Sequence, residues 1–464
     1  MRKSLAQAIA QLLVRMSRYQ PFQAWLHRVV SAYKQTQTSC PLPPGVEIPE
    51  ITPIDVRLGK QQKGTRINLL VPALSSQHVF GGIETALQVF DELRHHFDHV
   101  RIIATDEAIP EPRPGAYYGQ WPIIALDRDP LESDHIVAAG SRWGKTLSVH
   151  ERDYFMATAW WTAHNAFSIL SWQQRQYPSI DRRRLLYLIQ DFEPGFYPWS
   201  TRYVLAQATY ALPERTIAVI NSEWLADYLH VQGHRFSTKN VLHPQLHPKL
   251  TIARNRLEHF QKERILLVYG RPGTERNAFA LIVVALRLWA QSYADASKWQ
   301  ILSAGESFSP IELGHECQLK SVGKLGIDDY ANLLSRSAVG LSLMVSPHPS
   351  YPPLEMAAFG VRVVTNGFAN KNLSKLSSFL ISVDQPEPSS LSQALSGLTR
   401  DFDAHGPLEV AQTDVDWKGN FLHSTSPPMT WIPDVANTLL NATSTSGLMH
   451  ADEDKAPIFN NRPS

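Results

Sequence analysis

The apolar positions fall into two successive blocks in which short strand-like runs alternate with helical stretches. In the first block, residues 67–71 form a continuous apolar run, and a loop with Ser75, Ser76, Gly81 and Gly82 follows. Residues 83–97 then carry apolar side chains at helical spacing. Further strand patterns occur at residues 100–104, 122–126, 154–158, 185–189 and 216–220. Residues 254–264 read as a charged helical connector. The alternation restarts with a strand at 265–268 and a helix over 277–290. Strands at 299–303, 338–344 and 362–365 follow, with helices over 325–335 and 353–359. Strand–loop–helix alternation predicts parallel sheets covered by helices. Its restart predicts an α/β protein with two Rossmann-like domains and a ligand cleft between them.

The ends differ. Leu5, Ala8, Ile9, Leu12, Leu13 and Met16 share one helical face, Pro21 breaks the helix, and residues 22–33 resume it. The expected organisation is a helical extension and linker at 1–64, an N-terminal domain at 65–252 and a C-terminal domain at 253–425. A helix within 426–443 packs back on the N-terminal domain, and a disordered tail fills 444–464.

Composition narrows the functional classes. Of 464 residues, 43% are apolar and 19% charged, which excludes wholesale disorder. A formal charge of +1 argues against coating nucleic acid. That neutrality hides an asymmetry, because residues 1–46 hold six basic side chains and no acid. Such an extension suits an anionic membrane surface, or it packs on the body. Two cysteines, Cys40 and Cys317, are too few for a disulfide framework or a four-thiolate zinc site, and they point to a reducing compartment. No apolar run reaches 18 residues, and no secretory signal is evident.

Four strings carry candidate chemistry. Gly81-Gly82-Ile83-Glu84 joins strand to helix; it suits close backbone approach to an anion, or a plain tight turn. Arg271 and Arg276 follow the first strand of the second block and suit a diphosphate, or solvent. Residues 346–355 hold four prolines, His348, Ser350, Tyr351 and Glu355. There, free N–H groups at Ser350, Tyr351 and Leu354 would meet phosphate oxygens, and Glu355 would accept from hydroxyls. Asp191 and Glu193 end a strand, and an extended chain would put both on one side, able to orient or deprotonate a hydroxyl. Solvated capping acids are the alternative. Trp160 and Trp161 suit a core or groove wall and could stack on sugars. Asp127-Arg128-Asp129 reads as a turn in preference to a magnesium site. His243 and His247, flanked by prolines, do not read as a zinc pair.

In this order the motifs resemble glycosyltransferase family 4, over roughly residues 66–400. The resemblance implies the GT-B fold, two Rossmann-like domains facing across a cleft, here with a helical N-terminal extension. It places the acceptor on the N-terminal domain and the sugar-nucleotide donor on the C-terminal one. Gly81-Gly82-Ile83-Glu84 is similar to the family's glycine-rich loop. Arg271 and Arg276 match its basic pair, with arginine for the usual lysine. Glu355 within Pro352-Pro353-Leu354-Glu355-Met356 matches its donor-binding glutamate. The family's second glutamate falls at Pro347, so its role is missing or reassigned to His348 or to backbone. Residues 154–161, 188–194 and 346–356 are similar to bacterial rhamnosyltransferases of surface-glycan assembly, which use dTDP-β-L-rhamnose.

The resemblance implies sugar transfer with retention, without metal or other cofactor, onto a glycan or lipid-linked glycan in the cytoplasm or at the inner membrane face. The implied donor-binding set is Gly81, Gly82, Arg271, Arg276, Lys324, Leu325, His348, Ser350, Tyr351, Pro352 and Glu355. The implied catalytic residues are Asp191, Glu193 and Arg271, and the acceptor side is Trp160, Trp161 and Asp191. A nucleotide-sugar 2-epimerase and a non-catalytic glycan-binding scaffold are the rival readings.

Overall fold

The computed structural model describes residues 48–441 apart from 60–62, 76–80, 130–131, 179–182, 244, 257–261 and 408–428. The expected helical extension at 1–34 and the tail at 444–464 lie outside the described residues. Ahead of the body that begins at Pro53, Pro49–Ile51 is a 3-10 turn. No helix among the described residues is long and apolar enough to cross a membrane.

In the first domain the strands are β1 (Asp55–Leu58), β2 (Arg66–Val71), β3 (His99–Ala104), β4 (Ile123–Ala125), β5 (His135–Ala138), β6 (Thr146–Val149), β7 (Asp153–Ala157), β8 (Leu185–Ile189), β9 (Thr216–Asn221) and β10 (Thr238–Leu242). Its helices are α1 (Gly82–Arg94), α2 (Trp160–Gln176), α3 (Thr201–Ala208), α4 (Glu223–Val231) and α5 (Pro248–Asn255). Among the described residues, eight strands form one sheet in the order β10-β9-β8-β7-β2-β3-β5-β4, parallel throughout. β1 and β6 pair separately, so a stretch expected to be linker contains a strand.

The second domain holds β11 (Glu263–Gly270), β12 (Gln300–Gly305), β13 (Ile311–Gly314), β14 (Cys317–Gly323), β15 (Ser337–Leu341), β16 (Arg362–Asn366) and β17 (Leu380–Val383). These form a sheet in the order β13-β14-β12-β11-β15-β16-β17, parallel except where β13 meets β14. Its helices are α6 (Phe279–Ser292), α7 (Ile327–Arg336), α8 (Pro352–Ala358) and α9 (Pro388–His405). A last helix, α10 (Ile432–Leu440), buries Ile432, Val435, Ala436 and Leu439 against the first domain, beside Phe90 and Leu93 of α1.

Each sheet is covered on both faces by its own apolar clusters. That is why the central strands read as unbroken apolar runs. The first sheet departs from that pattern at one end. Arg66 opens β2 and Asp153 opens β7, and the two meet through paired bonds of 2.6 and 2.7 Å. Asp153 also accepts from His150 N at 2.8 Å. Arg101 Nη2 lies 3.7 Å from the same carboxylate, and its other nitrogens donate to Asn68 Oδ1 and Ser148 O. All these side chains are buried. Burial alone would raise the Asp153 carboxyl, but Arg66 and Arg101 outweigh it and hold the group well below the usual carboxylate range.

A depressed native pKa stabilises above the unfolded value of about 4 and is lost as pH falls below it. Asp153→Asn would leave two guanidinium groups uncompensated and should cost about 3–5 kcal/mol at pH 7. Urea unfolding across pH should show the gap to wild type narrowing below about pH 4; equal stability at pH 7 would refute this account.

Candidate functional site

The carboxyl edges of the two sheets face each other, and the sequence-flagged strings collect there. On the first wall, Gly81 opens α1 with φ of 47°. A Cβ on Gly82 would come within 2.4 Å of Gln190 Oε1, and Gln190 Nε2 donates to Gly82 O at 2.6 Å. The glycine pair therefore seats α1 against the end of β8, through a glutamine that sequence reading passed over. Asp191 follows, 7% exposed, its Oδ1 accepting from Phe192 N at 2.8 Å.

The expectation that Glu193 stands beside Asp191 is corrected. The chain does not stay extended; a 3-10 turn, Glu193–Phe196, carries Glu193 inward. Its Oε2 accepts from Tyr187 Oη at 3.1 Å, and its N–H donates to Tyr210 Oη at 3.3 Å. Burial pushes its carboxyl up to about 8. Glu193 is thus a protonated tie inside the first domain at neutral pH. Trp160 is corrected likewise: it is fully buried, with Nε1 donating to Tyr197 Oη at 3.0 Å, and offers no face to a sugar. Half-buried Trp161 meets its edge and donates Nε1–H to Asp106 Oδ2 at 3.1 Å.

On the second wall the basic pair divides. Arg271, after β11, pairs with Glu306 at 3.3 Å, and Glu306 also accepts from Gly273 N at 2.7 Å. Arg276, in the turn Glu275–Asn277, reaches across to the first domain. Its Nε lies 3.7 Å from Asp191 Oδ2, and its guanidinium sits 4.2 Å from the Phe196 ring centre. Burial and then the nearby Arg271 charge lower the Lys324 ammonium. Leu325 packs, partly buried, on the second domain's core.

The proline-rich loop between β15 and α8 closes the seam. Ser346 Oγ donates to Asp191 Oδ1 and accepts from His348 N at 3.0 Å. His348 Nδ1 in turn accepts from Ser350 N at 3.0 Å. The Ser350 N–H, expected to be free for a ligand, is therefore occupied, and Ser350 holds φ of 69°. Pro352 and Pro353 open α8 without N–H groups, so Leu354 is the first helical residue able to donate. Tyr351 Oη lies 3.4 Å from Asn221 Nδ2 across the seam. Glu355 accepts from Tyr330 Oη at 3.1 Å, and burial pushes its carboxyl up to about 7.

One central residue went unread. Lys371 is 1% exposed, and its Nζ donates to Met344 O at 2.6 Å. Burial lowers its ammonium to about 7, with Asp191 drawing it back up. It sits in the string Asn370-Lys371-Asn372, whose polarity gives no signal of burial. The discounted groups are occupied elsewhere. Asp127 accepts from Thr146, and Asp129 pairs with Arg57 at 3.0 Å. His247 caps α5 through Lys249 N. Cationic Arg276, with Lys371 nearby and hydroxyl-accepting carboxylates around one seam, suits an anionic, hydroxyl-rich ligand.

Residues 66–223 match the WsaF N-terminal domain and residues 264–396 the WsaF C-terminal domain. The O-antigen biosynthesis protein RfbC of Myxococcus xanthus is 29% identical over 304 residues, covering 64% of this chain and 21% of RfbC. The chain thus spans about a fifth of that relative's length. Sucrose-phosphate synthase from Thermosynechococcus elongatus superposes with a TM-score of 0.50 at 13% identity, over 82% of this chain and 100% of that one. WaaG, a glycosyltransferase involved in lipopolysaccharide biosynthesis, gives 0.46 at 12% identity over 82% and 100%. At such identity the likeness to the synthase is one of fold. The two WsaF domains occur in chain order on two Rossmann-like sheets that meet at their carboxyl edges, and the chain belongs to the WsaF-type glycosyltransferases of GT-B fold.

Proposed function

We propose that the protein transfers L-rhamnose from dTDP-β-L-rhamnose to a glycan acceptor during assembly of a surface polysaccharide of the O-antigen kind. The observation that carries this reading is the meeting of Asp191, from the first domain, with Arg276 and Ser346, from the second. In this reading the carboxylate accepts from a hydroxyl and the cation binds a diphosphate, side by side. The rhamnosyl assignment draws on the WsaF match, and the O-antigen context on RfbC.

In this reading Arg271 and Arg276 offset the charge of the leaving diphosphate, which removes the need for a divalent cation. Glu355 accepts hydrogen bonds from sugar or ribose hydroxyls. Asp191 orients the acceptor hydroxyl, which attacks from the leaving group's own face. A diphosphate oxygen takes the proton as the glycosidic bond to that oxygen breaks, so the anomeric configuration is retained. Domain closure at the seam excludes water and suppresses donor hydrolysis. The acceptor would be lipid-linked, at the cytoplasmic membrane face, with the basic extension at residues 1–34 as its contact.

Thermal unfolding should rise with dTDP-L-rhamnose and dTDP and stay unchanged with UDP- and GDP-sugars, because a ligand that binds only the native state raises the midpoint. A shift with UDP-sugars alone would overturn the donor assignment. Transfer should persist in EDTA; its abolition would refute the metal-independent step. Asp191→Asn should lower transfer by about 100-fold while dTDP still binds, the usual scale for a positioned acid–base group. Glu193→Gln, which mimics the protonated side chain, should leave transfer within about threefold of wild type. The reverse ranking in steady-state kinetics would return the catalytic role to Glu193.

A further inference from the structure

His348 holds a hydrogen bond whose direction fixes its chemistry. Ser350 N–H donates to Nδ1 at 3.0 Å, so Nδ1 carries a lone pair and no proton. The neutral ring must then bear its proton on Nε2. Burial holds the ring neutral, lowering its pKa to about 4. Nε2 is buried and has no hydrogen-bond partner among the described residues. A buried donor without an acceptor is unfavourable, and such an atom at a ligand cleft points to the ligand.

The surroundings say what kind of acceptor it meets. The ring packs against Tyr351, centroids 5.7 Å apart, in the loop that spans the seam. The charged groups acting on it are Asp191, Lys371 and Arg276. Asp191 is already engaged by Ser346, Phe192 and Arg276. The two basic groups among them, Arg276 and Lys371, would hold an anionic oxygen beside the ring.

We propose that His348 binds the donor through Nε2–H, which bonds a diphosphate oxygen of the bound sugar nucleotide; this rests on the sugar-nucleotide reading above. His348 would thereby supply a neutral, directional donor in a pocket whose other diphosphate contacts are cationic. The residue acts on affinity for the phosphate portion, whatever sugar is attached.

The test is calorimetry on the full chain with dTDP and dTDP-L-rhamnose, comparing wild type, His348→Gln and His348→Phe. Glutamine keeps an N–H donor at similar reach, whereas phenylalanine keeps the ring shape alone. His348→Gln should bind both ligands within about threefold of wild type. His348→Phe should bind both at least about tenfold more weakly, as loss of a hydrogen bond to a charged group implies. Wild-type affinity in His348→Phe overturns the proposal and leaves the donor reading standing. Loss confined to dTDP-L-rhamnose also overturns it, because the bond would then go to the sugar. A wild-type protein that binds neither ligand overturns the donor reading and this inference together. A second measurement does not depend on folding of the variants. Nitrogen-15 shifts of the wild-type His348 ring at pH 7 should show the Nε2–H tautomer; the Nδ1–H form or a doubly protonated ring would overturn the proposal.

Discussion

The seam between the two sheets depends on how one carboxylate divides its acceptor sites. Asp191 Oδ1 is bonded by Phe192 N from its own domain and by Ser346 Oγ from the other. Its Oδ2 faces Arg276. The first bond fixes the side chain to the start of the 3-10 turn, and the other two tie it to the opposite wall. Any shift of one domain against the other must therefore change what Asp191 holds. A ligand that inserts between Arg276 and Asp191 competes with a contact of 3.7 Å, which is longer and weaker than a direct hydrogen bond. Arg276 is thus the member of the basic pair readiest to exchange partners, while Arg271 must be drawn from Glu306.

The first sheet separates stability from chemistry by its two edges. At the amino ends of β2 and β7, Arg66 and Asp153 form a fully buried, doubly bonded ion pair with Arg101 beside it, and Arg66 Nη1 and Arg101 Nη2 have no hydrogen-bond partner among the described residues. Around the facing carboxyl edges of the two sheets, Gln190 Oε1, Arg276 Nε and His348 Nε2 are buried without a hydrogen-bond partner among the described residues. The first cluster is held by charge pairing, two guanidinium groups sharing one carboxylate. In the second, the unmatched atoms line the edge where parallel sheets bind ligands.

Legibility from sequence followed the same division. β8, Leu185–Ile189, was readable to the residue because every position is aliphatic or aromatic and every one is buried. β2, β3 and β7 were placed one residue late, because Arg66, His99 and Asp153 look like solvent-facing residues. β1 and β6 were missed: each has four residues and is a strand only by pairing with the other, across a long stretch of chain. In the site, the strings around Asp191, Arg276 and Glu355 were visible because constrained or charged loops follow strands. What no local pattern could show was partnership. Ser346 and Asp191 are 155 residues apart, and Lys371 is buried by the tertiary fold against its own polar sequence context.

Glu193 and Asp191 show why residue type and spacing underdetermine a role. They are two positions apart on one chain and carry the same functional group. A 3-10 turn with Pro194 at its second position begins directly after Phe192 and carries Glu193 toward Tyr187 and Tyr210. There the carboxyl is desolvated and meets hydroxyl and N–H groups without a directly bonded cation, so its proton is retained. Asp191 stays at the strand end, beside Arg276 and Lys371. A single change of backbone direction therefore turns one acid inward to Tyr187 and Tyr210 and leaves the other at the seam beside Arg276 and Ser346.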